Sequence, residues 1–139
     1  MAATTVTWTG SKTTFDVAGR GSGQHATADS AEPLGGGAGL KPTEMLLGAL
    51  GACAGVNAVL LLKKMRQPLE SLEIRVEGDQ EPEWPMRFTE IRIEFVLGWS
   101  GETDDDLVQK ALDLACDRYC PVHATLSQGV PITHRRTDA

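Results

Sequence analysis

Three thiols and an imidazole dominate the reactive chemistry this sequence offers: Cys53, Cys116, Cys120 and His123. In "YCPVHATL" a cysteine stands directly before a proline, and a histidine follows the thiol by three positions. Proline suits the first position of a helix, and the residue ahead of it is steered out of helical angles. Cys120 is therefore predicted to cap a short helix running from Pro121 to about Ser127. Unpaired N–H groups at a helix start stabilise a thiolate, so on local grounds Cys120 is the more acidic thiol. Cys53 lies inside an apolar run, where a free cysteine usually packs as a small hydrophobe. Nothing beside it in the chain would activate it; a cation from elsewhere in the fold would be needed. Arg20 and His25, in a Gly-rich segment able to fold over a pocket, are the candidates, although an arginine in such a loop is by default simply solvated.

Cys116, Cys120 and His123 make a C-x3-C-x2-H cluster, and Cys53 would raise the ligand count to the four that zinc requires. Pro121 breaks the helix between these ligands, and the spacing is not a usual zinc spacing. The expectation is no metal and no other cofactor.

The elements that must position these groups are legible in the pattern. Residues 4–9 and 12–18 read as two short strands around "TGS", with a further short strand near His25–Ala28 and a flexible loop from Glu32 to Leu40. Pro42 opens a helix that runs to Met65 or Arg66, with Glu44 near its positive end, Lys63, Lys64 and Arg66 near its negative end, and Pro68 as a stop. After it, Leu72, Ile74 and Val76, then Ile91, Ile93, Phe95 and Leu97, alternate with charged residues and predict an antiparallel pair with one wet face. Thr103 is the candidate N-cap of an amphipathic helix that ends near Tyr119 and Cys120, and "GVPITHR" is a final strand. The order predicts a single α+β domain over 1–139: strands and Gly-rich loop in 1–41, central helix 42–66, strand pair 69–99, two helices in 103–127 and a last strand in 129–136.

Composition excludes several function classes. A net charge of −6 with no basic run argues against nucleic acid as partner. The N-terminal stretch has no basic start followed by an apolar run, so a cytoplasmic protein is expected, in a compartment where three free thiols stay reduced. "MLLGALGACAGVNAVLLL" meets the lower length limit of a membrane span and carries Gly51 and Gly55 at GxxxG spacing. Its glycines and Asn57 fit better the centre of a packed core, with close approach of sheet or partner backbone, so no membrane is expected.

"KPTEMLLGALGACAGVNAVLLLKKMRQ", followed 67 residues after its cysteine by the cysteine of "DRYCPVHATL", resembles the OsmC/Ohr family, most similar to its YhfA-like branch. The resemblance implies an OsmC-like fold, with antiparallel sheets around a long central apolar helix, in an intertwined homodimer with sites at the subunit interface. It also implies thiol-dependent reduction of organic hydroperoxides, with Cys53 as the peroxidatic thiolate, Cys120 as the resolving thiol and an external dithiol as reductant. Arg20, in "AGRGSG", and Glu44 are then the candidates to activate Cys53. In the Ohr branch a Glu directly follows the helix-opening proline; here Thr43 takes that place, and Glu44 lies about half a turn out of phase with Cys53. That departure keeps open a second class, an OsmC-like small-molecule-binding or redox-sensing protein with little peroxidase activity.

Overall fold

Alternating runs become strands and the proline-bounded runs become helices. The computed structural model describes residues 1–139, in the order β1 (Thr4–Trp8), β2 (Phe15–Gly19), β3 (His25–Ala28), α1 (Pro42–Lys64), β4 (Leu69–Gln80), β5 (Phe88–Trp99), α2 (Asp105–Asp117), α3 (Pro121–Leu126) and β6 (Ile132–Asp138). The fold is α+β, with two three-stranded sheets ordered β1-β2-β3 and β4-β5-β6. The chain divides into two compact units, Met1–Leu46 and Leu47–Ala139.

In the first unit β1, β2 and β3 form an antiparallel meander, with Val6 opposite Val17 and Val17 opposite Ala26. Asp29 follows β3 directly and is only 2% exposed. A carboxylate so buried must have its oxygens satisfied. The Thr13 and Thr14 hydroxyls donate to it at 2.7 and 2.8 Å. The N–H groups of Ser30, Gly36 and Ala38 add three more bonds at 2.7, 3.2 and 3.2 Å. The segment expected to be a flexible loop is thus gathered around one anion, and a side chain at Gly35 would collide with the Ser30 carbonyl oxygen. The Thr13 hydrogen bond, with those from Thr14, Ala38 and Ser30, holds the Asp29 carboxyl far below the usual range despite burial.

In the second unit the register sets Leu72 opposite Leu97, Ile74 opposite Phe95 and Val76 opposite Ile93. The core joins Leu50, Ala54, Ala58 and Leu62 of α1 to Ile91, Ile93, Phe95 and Leu97 of β5 and to Val108, Ala111, Leu112 and Ala115 of α2. The close approach expected at the α1 glycines is to β4 side chains: a Cβ at Gly51 would stand 2.9 Å from Val76 Cγ2, and one at Gly55 2.6 Å from Ile74 Cδ1. The last strand pairs parallel to β5, with Ile91 beside Ile132 and Phe95 beside Arg136. Two helices carry the chain back over the sheet between β5 and β6, and such a crossover delivers a parallel strand.

The helix ends are specified locally. α1 stops as Arg66 turns to φ 57°, with the Arg66 N–H donating to Lys63 O at 3.0 Å and the Gln67 N–H to Leu62 O at 2.9 Å. The cap of α2 is Asp104, not Thr103: Asp104 Oδ1 accepts from the N–H groups of Asp106 and Leu107 at 3.1 and 3.2 Å. A carboxylate satisfies two orphan donors at the positive helix end better than a hydroxyl does. By composition alone α1 could cross a membrane, with a mean hydropathy of 2.1 over 18 residues. It instead buries Leu50, Gly51, Ala54, Gly55, Ala58 and Leu62.

Because the Asp29 carboxyl is held ionised, its contribution to stability is complete above the ordinary carboxylate pKa of about 4 and is lost as pH falls below it. Thermal melts taken from neutral pH down to about pH 2 should show an acid limb that Asp29→Asn flattens. Limited proteolysis at neutral pH should cut that variant within residues 30–40. A variant keeping the parent's acid limb and cleavage pattern would contradict this role.

Candidate functional site: a thiol pair between α1 and the α2–α3 junction

Cys53 is carried at mid-length on α1 and is half-buried, whereas Cys116 and Cys120 are buried; all three are free thiols. α2 closes with the N–H groups of Arg118 and Tyr119 both donating to Leu114 O at 3.0 Å. Pro121 then starts α3, as its position in the sequence predicts. Cys120 adopts φ −94° and ψ 104°, and its Sγ accepts the His123 N–H at 3.3 Å, so it is the cap of α3.

The acidity expected from that cap is overturned. Cys120 is 1% exposed, and burial pushes its thiol up. Its hydrogen bond with the Cys53 side chain pushes it further, while the N–H groups of His123 and Val122 only partly offset both. α3 is six residues long and offers few donors to an anion that the surrounding apolar cluster disfavours. At Cys120 burial thus outweighs the cap and favours the protonated thiol. Cys116 is pushed up to about 12 by burial first and by the Asp117 carboxylate next, which makes it an inert, packing thiol.

One side chain that the sequence reading did not single out joins the parts of the site. Asn57 sits one turn after Cys53, and its Nδ2 donates to the Cys53 carbonyl at 3.0 Å and to the Tyr119 carbonyl at 3.1 Å. An amide among seventeen other residues without an N–H-bearing side chain, from Met45 to Leu62, was the available signal. Such an amide must spend its donors somewhere.

The other candidates are placed as follows. Glu44 Oε1 accepts the Lys41 N–H at 2.8 Å and so caps the start of α1. Arg20 is exposed at the β2–β3 turn, with its backbone N–H donating to Ala3 O at 2.9 Å. His25 Nδ1 pairs with Asp16 at 3.0 Å. His123 is 8% exposed, and its Nε2 lies 3.9 Å from Asp117 Oδ1 without a hydrogen-bond partner. No three His, Cys, Asp or Glu side chains converge to hold a metal ion.

Exposure orders the thiols. Iodoacetamide on the reduced, folded protein should label Cys53 first, with Cys116 and Cys120 labelled only as the chain unfolds. Peptide mass spectrometry against time reads this, and early labelling of Cys116 would contradict the packing.

Comparison with known proteins gives the site a context. Residues 35–135 match the family model described as OsmC-like protein. The chain is 34% identical over 93 residues to Protein YhfA of Escherichia coli K12, a match covering 67% of this chain and 69% of YhfA. Among solved structures, it superposes on an OsmC like protein from Mycoplasma pneumoniae with a TM-score of 0.83 and 19% identity, covering 100% of this chain and 97% of that one. It superposes on the organic hydroperoxide resistance protein OhrB of Bacillus subtilis with a TM-score of 0.62 and 16% identity, covering 99% and 98%.

Proposed function

The chain belongs to the OsmC-like protein family, and from that premise we propose that it reduces organic hydroperoxides, with Cys53 as the attacking thiolate and Cys120 as the resolving thiol. The observation that carries this reading is the pairing of a half-buried thiol, Cys53, with a buried one, Cys120, whose pKa it helps to raise, on segments that the Asn57 amide joins through the Cys53 and Tyr119 carbonyls. The naming of OhrB as an organic hydroperoxide resistance protein supports the choice of substrate class.

In the proposed cycle the Cys53 thiolate attacks the distal oxygen of the hydroperoxide. The O–O bond breaks, an S–O bond forms, and an alkoxide departs. The proton held on Cys120 passes to that alkoxide, giving the alcohol and leaving a Cys120 thiolate. This thiolate attacks the Cys53 sulfenic acid and displaces hydroxide, which leaves a disulfide. An external dithiol returns the pair to the reduced state by exchange. The raised pKa of Cys120 thereby gains a purpose: the buried thiol is the proton source of the first step and the nucleophile of the second.

Two further parts belong to this reading. The face of α1 away from its core carries Val56, Val59 and Leu60 at 61, 42 and 60% exposure. An apolar helix face of this kind is covered in a working protein, and we assign it to a second copy of this chain, giving a homodimer. A reducing, cytoplasmic compartment fits three free thiols. The Glu44 bond to the Lys41 N–H favours a second reading, in which the same thiol pair serves a slow redox sensor or small-molecule-binding protein.

Coupled turnover with cumene hydroperoxide and a dithiol reductant should be catalytic for the parent. Cys53→Ser should abolish it, and Cys120→Ser should stop after one turnover with Cys53 driven on to sulfinic acid. Peroxide consumption no faster than by free cysteine would overturn the enzymatic reading and leave the sensor. Light scattering on a sizing column should give twice the 14.9 kDa chain mass, and Leu60→Glu should shift it toward the monomer. A monomeric parent would contradict the assignment of the α1 face.

A further inference from the structure

We infer that Asn57 is the positioning residue of the site: its amide clamps the two peptide units that carry Cys53 and Cys120, and so sets the effective concentration of one sulfur at the other. The inference rests on the redox reading of that pair and goes beyond it. The two hydrogens on Nδ2 are both spent, one on the carbonyl of Cys53 itself at 3.0 Å, the other on the carbonyl of Tyr119 at 3.1 Å, in the peptide group whose nitrogen belongs to Cys120.

Geometry makes this more than a helix contact. The bond to Cys53 is local, four residues back along α1, and fixes the rotamer of the amide. The bond to Tyr119 spans 62 residues of sequence and ties α1 to the residue before the α3 cap. Apart from the interaction of the two thiols themselves, the connections at this junction are apolar contacts, which hold two elements together without fixing axial position or rotation. A directional polar bond at the margin of an apolar seam, as this one is, fixes register between packed elements in a way that apolar contacts do not. An apolar residue of similar volume at position 57 would keep the core and lose the register.

Thiol pairing reads such a loss directly. Closing the Cys53–Cys120 bond is an intramolecular step whose equilibrium depends on how often the two sulfurs meet in bonding geometry. Oxidised glutathione supplies the oxidant: two protein thiols become one disulfide, and glutathione disulfide becomes two glutathione thiols. Neither a hydroperoxide nor turnover is required.

The test is the equilibrium constant of this exchange for the parent, Asn57→Leu and Asn57→Asp, read by mass spectrometry after acid quenching, alongside thermal melts of the reduced proteins. Asn57→Leu should melt like the parent while its equilibrium constant falls about tenfold, the size expected for one or two net hydrogen bonds, or about 30 mV in potential. Asn57→Asp keeps the shape but has no donor when ionised; it should show the same loss at neutral pH and recover toward the parent as acidification returns one O–H. If Asn57→Leu fails to fold, the pH-dependent recovery of Asn57→Asp decides. Parent-like constants in both variants at neutral pH would overturn the role of Asn57 alone. A parent that forms no Cys53–Cys120 disulfide would instead overturn the redox reading on which it rests.

Discussion

The segment Met45–Leu62 has no charged residue, and the need to cover it organises the second unit. β5 presents Ile91, Ile93, Phe95 and Leu97 on one face because strand residues alternate, and α2 supplies the matching stripe of Val108, Ala111, Leu112 and Ala115. Gly51 and Gly55 let the β4 side chains Val76 and Ile74 come down onto the helix. Cys53, between them on the helix, is left half-buried at the margin of this cover.

At Cys120 two effects act on one sulfur, and burial wins. A helix start favours a thiolate, and the cap geometry is present, with the His123 N–H on Sγ. Yet the residue is enclosed with the hydrophobic core, and its thiol is raised by that enclosure and by the hydrogen bond with Cys53. The same enclosure makes Cys116 inert. In the proposed cycle the unlike exposure of the two sulfurs divides the labour of a two-step oxidation between them.

Much of this was legible in the sequence, and the omissions share a cause. Pro42, the basic last turn and Pro68 bound α1 within two residues of its observed end, because terminus signals are local. Alternation located β4 and β5, and the Cys-Pro step located α3. Longer-range facts were not legible. The parallel pairing of β6 depends on where two helices deliver the chain, and the ordering of the Gly-rich loop depends on a carboxylate that collects donors from both sides of the meander. The acidity of Cys120 was misread because a cap is visible in four residues, whereas burial is a property of the whole core. Asn57 could be noticed as an amide out of place, but its partner lies 62 residues away.

The central claim is that Cys53, rather than the buried Cys120, meets the oxidant. Dimedone traps a sulfenic acid where it forms, so the most direct measurement is peptide mapping after substoichiometric cumene hydroperoxide is added to the reduced protein in the presence of dimedone. Adduct confined to Cys53, in competition with the Cys53–Cys120 disulfide, is the predicted result. Adduct on Cys120 while Cys53 stays a free thiol would contradict it.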